Sequence, residues 1–324
     1  MVVKKCQILK YFTSPLAELY QALKMLVLKV QDLMVLTALL LSITGPTETR
    51  VVTSLQACHN FFCQQTPPNI PGILAHGNII NQNRYKPICQ TFENTVTFVT
   101  LYDTTNKIPV FSAYKYTQYA TGRPRDIWMI EPQLENLHSG NNMEIPERNK
   151  SYQFQATPDD YDTSQNYQKG HLLPNSFGSN MNVKQSTFTL TNAVPQVDKF
   201  NTVAWRIIER DLKSYMGNYC VNNNDQIEAY VVIGAQPGTD NKFLNGKIKI
   251  PSILWSAFCC YSKSTGTWLT SAQWGKNTDH PELQSKTLNE LYHVLGHGFD
   301  LFPNTQCPRD CECTLSGCKR PRSS

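Results

Sequence analysis

The segments YQKGHLLPN (Tyr167 to Asn175) and TNAVPQVDKFNTVAWRIIERD (Thr191 to Asp211) decide the architecture. The first places a cation, a glycine and an imidazole in a row. Around the second, STFTLTNAVPQ reads as a short strand that breaks at Pro195, and DKFNTVAWRIIERDLKSYM reads as a helix with Asp198 at its N-cap. Phe200, Val203, Ala204, Ile207, Ile208 and Leu212 recur at i, i+3, i+4, i+7, the spacing of one core-facing stripe. His171 therefore ends one extended segment, a second strand ends at Asn192, and the helix carries Asn201 in its first turn. Such a β-β-α unit brings the histidine and the helix start to one edge. Asn201, Trp205 and Glu209 are spaced by four and form a second stripe beside the apolar one.

His171 has two readings. In the plain one, Gly170 is a turn glycine and His171 a half-buried strand histidine. In the other, His171 is a general base with Lys169 beside it to hold a phosphate oxygen. An imidazole with an ordinary pKa near ~6.5 takes a proton from water at neutral pH. A neutral amide oxygen such as that of Asn201 is enough to anchor Mg²⁺, which prefers oxygen ligands and keeps several waters. The ion would neutralise the leaving oxygen of a phosphodiester.

Outward from this unit, TVTFVTLYDTTNKIPVFSAYKYT reads as a β-hairpin turning at DTTNK. QIEAYVVIGAQPG and IKIPSILWSAFCCYSK read as strands, and HPELQSKTLNELYHVLGHG as a helix ending at glycine. Strands and helices mix without a βαβ rhythm, which predicts an α+β fold with a central antiparallel sheet. His293 and His297 in HVLGH lack the glutamate of a zinc-protease helix and read as a helix end.

The chain has 324 residues, 40% of them hydrophobic, enough for a sizeable core. Its formal net charge of +5 announces no global polyanion field, so any nucleic-acid site must be a local patch. Of 11 cysteines, all but Cys6 lie beyond the leader, which fits a disulfide framework in an oxidising compartment. The apolar run MVLTALLLSITG, Met34 to Gly45, follows Lys24 and Lys29 and has signal-peptide length. Residues 1–48 are thus expected to be a leader, cleaved or kept as a signal anchor, with no stable membrane span. The rest is expected to be secreted as one domain over 51–306 and a Cys-rich tail over 307–324. That tail, CPRDCECTLSGC onward, favours disulfides over a zinc knuckle in an exported chain. NKS at Asn149 is a glycosylation sequon.

Gly170-His171, then Asn192 with Pro195-Gln196, then Asn201, Trp205 and Glu209 resemble the motifs D-R-G-H, N-x-x-P-Q and N-x-x-x-W-x-x-x-E of the DNA/RNA non-specific endonuclease family. The resemblance runs from about Val51 to Cys307. It implies a ββα-metal active site and a metal-dependent phosphodiester endonuclease with DNA and RNA as substrates. It also implies Mg²⁺, or another divalent cation such as Mn²⁺, as cofactor. By the same resemblance His171 is the general base and Asn201 the direct metal ligand. Glu209 orients metal-bound waters, Asn192 and Gln196 shape the site, and Arg125 before Trp128 is the nearest match to an arginine the family also uses. The chain departs from the family at Gln168-Lys169, where the motif has Asp-Arg. Lysine keeps the charge but loses the bidentate fork.

Overall fold

The computed structural model describes residues 19–20, 23–31, 51–148, 150–162, 165–314 and 317–319, with side chains described up to 311. The leader run Met34–Gly45 and the sequon asparagine, Asn149, lie outside the described residues. Two compact units are present, Met1–Glu48 and Thr49–Ser324. In the first, residues 23–31 are helical and exposed. Among the described residues no helix is long and apolar enough to cross a membrane.

The second unit is built on a seven-stranded antiparallel sheet. Its strands are β1 (Tyr85–Phe92), β2 (Thr95–Asp103), β3 (Ile108–Tyr116), β6 (Ala229–Pro237), β7 (Pro251–Ser262), β8 (Thr267–Lys276) and β9 (Leu283–Lys286), in the order β9-β8-β7-β6-β3-β2-β1. The expected β2–β3 hairpin is present. The Asp103 carboxylate closes its turn by accepting from the backbone N–H groups of Thr105 and Asn106 at 3.0 and 3.1 Å.

Both faces of the sheet are buried, and successive residues serve opposite faces. Phe111 and Ala113 pack into one cluster, Tyr114 and Tyr116 into the other. The same alternation separates Cys259 from Cys260. Cys260 bonds to Cys220 at the end of the helix on one face, while Cys259 bonds to Cys307 on the other. Cys58–Cys89 ties the N-terminal 3-10 segment to β1. The described part of the tail is fastened to this same unit, through Cys307 and through Asn289, whose N–H donates to the Arg309 carbonyl at 3.1 Å.

A separate two-stranded ribbon, β4 (Tyr167–His171) and β5 (Ala193–Val197), lies on the Tyr114/Tyr116 face, with α1 (Met181–Ser186) between its strands in sequence. The helix that follows starts with a π turn over Phe200–Trp205 and continues as α2 (Arg206–Tyr219). This is the expected β-β-α unit, with local differences. Pro195 does not break the strand. It pairs with Lys169 in a ribbon, where a missing N–H is tolerated. The strand therefore begins after Asn192 instead of ending at it, and residues 190–192 form a 3-10 turn.

Asp198 does not cap the helix. Lys199 is already helical, and the Asp198 carboxylate accepts from the Gln168 amide. Val203 and Ile207 are exposed although the spacing placed them in the core stripe. Phe200, Ala204, Ile208 and Leu212 face inward as the spacing has them, and with the i→i+5 bonding of the π turn Trp205 and Met216 join them in place of Val203 and Ile207. The last helix is shorter than expected, α3 (Leu288–Leu295), because its first part pairs with β8 as β9. Strands β1 and β8 carry no clear alternation and were not expected; β1 holds Pro87 and sits at a sheet edge, where proline is tolerated.

Candidate active site

Gly170 answers to space, not conformation. Its backbone is outside the left-handed region, but a Cβ there would lie 2.1 Å from Gln196 Cδ and 2.4 Å from Cγ. The buried Gln196 side chain crosses over Gly170, and its Nε2 donates to the His171 carbonyl at 3.3 Å. The glycine before the histidine and the glutamine after the proline are two halves of one contact.

Asn192 is a strut inside the protein. Its Oδ1 accepts from Ser112 Oγ on β3 at 2.9 Å and from the Leu173 N–H at 3.0 Å. Its Nδ2 donates to the carbonyls of Leu173 and Thr187, both at 3.0 Å. These bonds join the sheet to the turn after His171. Asn192 is wholly buried and is absent from the lining of the cleft, so it reaches the site only through the turn that it holds.

The His171 ring sits between Trp128 and Phe188, with centroids 4.8 and 4.5 Å away. Nε2 is buried, and the ring makes no hydrogen bond among the described residues. Burial, assisted by the Arg123 charge, pushes its pKa from 6.5 to about 3. The imidazole is therefore neutral far below the pH that its ordinary value suggests.

On the helix side, Asn201 Nδ2 donates to Gln168 Oε1 at 2.8 Å, and Gln168 Nε2 donates to the Asp198 carboxylate. Gln168 thus bridges the strand to the helix start and sets the amide of Asn201. Asn201 Oδ1 has no hydrogen-bond partner among the described residues. Glu209, one turn beyond Trp205, makes neither a hydrogen bond nor an ion pair among them. Burial raises its pKa to about 8, against the pull of Arg123 and Arg206. Lys169 is half-buried with Nζ 5.9 Å from the Tyr161 ring centroid. Burial lowers its pKa, and Asp162 and Asp159 oppose that shift.

Gln168, Lys169, His171, Asn201 and Glu209 line one cleft of ≈ 390 Å³, with Arg123, Asp126, Trp128, Phe188 and Arg206. Arg125 is exposed and absent from the lining; Arg123, two residues earlier, takes that place. Arg123 is ion-paired with Asp126 at 3.0 Å and lies over the Phe188 ring. The sequence RPRD offers two arginines in an irregular loop, and no periodicity tells which one lines the cleft. Phe188 gave no signal either, because it sits outside every motif.

The residues fit a hard divalent cation. An amide oxygen without a donor and an unpaired, half-buried carboxylate share the cleft. An ionised carboxylate in such a place is costly unless it is paired or metal-bound. Oxygen donors in this small number suit an ion that keeps most of its waters.

Residues 76–306 match the family model described as DNA/RNA non-specific endonuclease. The chain is 28% identical over 275 residues to the Endonuclease domain-containing 1 protein of Homo sapiens, covering 82% of this chain and 51% of that protein. The Mus musculus protein of the same name gives 28% over 274 residues, with 81% and 51% covered. The chain thus spans about half the length of these curated relatives. Among solved structures, a chain of the crystal structure of the EndoG/EndoGI complex aligns with a TM-score of 0.48 and 16% identity, over 67% of this chain and 88% of that one.

Proposed function

The chain belongs to the DNA/RNA non-specific endonuclease family, and on that premise we propose that it is a secreted, Mg²⁺-dependent endonuclease that hydrolyses phosphodiester bonds of DNA and RNA. Family membership implies nucleic-acid substrates and a divalent cation. One observation carries the reading further. A neutral, unpartnered imidazole shares a cleft with the free amide oxygen of Asn201 and the unpaired carboxylate of Glu209. His171 accepts a proton from water as the water oxygen attacks phosphorus, and the bond to the leaving oxygen breaks. Asn201 and Glu209 would hold the cation. When bound, that ion supplies charge neutralisation at the leaving oxygen. Lys169 and Arg123 hold the non-bridging oxygens. Gln168, Gln196 and Asn192 position Asn201 and His171. Secretion is supported by the disulfides, which persist in oxidising compartments.

The test is conversion of supercoiled plasmid and of a structured RNA, in Mg²⁺ and in EDTA. Cleavage of both that EDTA abolishes and excess Mg²⁺ restores is the expected result; cleavage indifferent to EDTA refutes the metal role. A second reading, a nucleic-acid-binding protein with weak catalysis, is favoured by Lys169. It offers one compact ammonium where an arginine offers two parallel N–H donors to a phosphate. Tight binding without cleavage in the same assay would select it.

A further inference from the structure

Three cavities adjoin along the outer side of the π turn and α2. The cleft of His171 shares Arg123, Thr202, Arg206 and Glu209 with a neighbour of ≈ 620 Å³. That neighbour shares Arg210 and Lys213 with a third of ≈ 440 Å³. The middle cavity is lined by the cations Arg123, Arg206, Arg210 and Lys213 against a single carboxylate, Glu209. Two more carboxylates act here from outside the lining: Asp126 pairs with Arg123 at 3.0 Å and Asp211 with Arg210 at 2.9 Å. On a chain whose net charge is only +5, this is the local patch that a polyanion needs. Arg206, Arg210 and Lys213 follow at intervals of four and three, so they share one helix face.

The wall between the cations is apolar and open. Val203 is 59% and Ile207 41% exposed, on a helix that otherwise buries its aliphatic side chains. At the far end Tyr119 is 49% exposed, with Lys213 Nζ 3.6 Å from its ring centroid.

We infer that this groove is a track for a single strand of nucleic acid leading away from the scissile phosphate. Its phosphates lie on the Arg206–Arg210–Lys213 row, and its unstacked bases lie on Val203, Ile207 and Tyr119. The inference rests on the nuclease reading of the His171 cleft. A single strand fits better than a duplex, because stacked base pairs hide the faces that an apolar wall would contact. From Asn201 to Asn218 the helix runs about 25 Å at ~1.5 Å per residue. A strand at the ~3.4 Å spacing of stacked bases would place about seven nucleotides there, and an unstacked, more extended strand fills the track with fewer.

The experiment is fluorescence anisotropy of labelled oligothymidylates of increasing length, with the full chain in EDTA. Affinity should tighten with length until the track is filled, then level off. Arg210→Gln with Lys213→Gln should weaken binding about tenfold or more and reduce the salt slope by about 1.4, from two phosphate contacts at ~0.7 each. Val203→Ser with Ile207→Ser should weaken binding and leave the salt slope unchanged. Circular dichroism verifies that each variant is folded. Affinity independent of length and unmoved by either pair overturns the track. Hydrolysis of bis(p-nitrophenyl) phosphate by the unaltered protein reports on catalysis separately. No hydrolysis together with length-dependent binding removes the nuclease reading and leaves the track. Hydrolysis together with length-independent binding removes the track alone.

Discussion

Gly170→Ala should be costly, and costly for one reason. The added methyl lands 2.1 Å from Gln196 Cδ, 2.4 Å from Cγ and 2.5 Å from Nε2. Gln196 is fully buried, so its side chain must be forced off its place over the strand. Overpacking of this kind costs ~1–3 kcal/mol. Losing the bond from Gln196 Nε2 to the His171 carbonyl adds ~1 kcal/mol. The total expected is about 2–4 kcal/mol, read as a shift of the urea midpoint at constant slope. Gln196→Ala makes room for the methyl, and it also removes a buried Oε1 that has no partner. In that background Gly170→Ala should cost little, so the coupling in the double-mutant cycle should be close to the full ~2–4 kcal/mol. Equal cost in both backgrounds would mean that the glycine serves something other than the Gln196 crossing.

Lys169→Arg should raise nicking activity by giving a phosphate two parallel donors, whereas adding Gln168→Asp should lower it. An aspartate cannot donate to Asp198, and its charge is repelled by that carboxylate, which moves the acceptor of Asn201 Nδ2 away from the helix start. Initial rates on plasmid for the single and double variants decide this; a gain on restoring Asp-Arg together would refute the bridging role of Gln168. In EDTA, the Glu209 contribution to stability is present below its ordinary value of 4.5 and lost as pH rises through about 8, because its folded pKa is raised. For His171, whose folded pKa is depressed to about 3, the contribution is present above 6.5 and lost as pH falls through about 3. Melting curves should therefore show Glu209→Gln gaining on the parent between pH 4.5 and 8, and His171→Gln gaining on it between pH 6.5 and 3. A pH-independent difference for either variant contradicts its burial.

The sequence disclosed the β-β-α unit because its residues sit close together and their spacing survives folding. Even the π turn preserved the four-residue spacing of Asn201, Trp205 and Glu209, although it moved Val203 and Ile207 from the core to the surface. The sheet was only half legible. β1 and β8 are buried along most of their length and carry no clear alternation in sequence, so they passed unseen. Roles that depend on direction were not legible at all. Nothing in RPRD distinguishes Arg123 from Arg125, and Asn192 looks like a site residue until its four hydrogen bonds are seen to turn inward. The ordinary imidazole pKa was equally misleading, because it takes Trp128 and Phe188 on either side of His171 to move it.

The most direct measurement is plasmid nicking in Mg²⁺ by the parent, His171→Ala and Asn201→Ala, each first shown to be folded and to bind an oligonucleotide in EDTA. Loss of a general base is worth ~10²–10⁴ in rate, so His171→Ala should lose nearly all cleavage while still binding. Asn201→Ala should lose cleavage as well and require far more Mg²⁺. The double variant should be little worse than either single one, because both residues belong to one catalytic unit. Folded variants that bind and nick at the parental rate would contradict the assignment of this cleft as the active site.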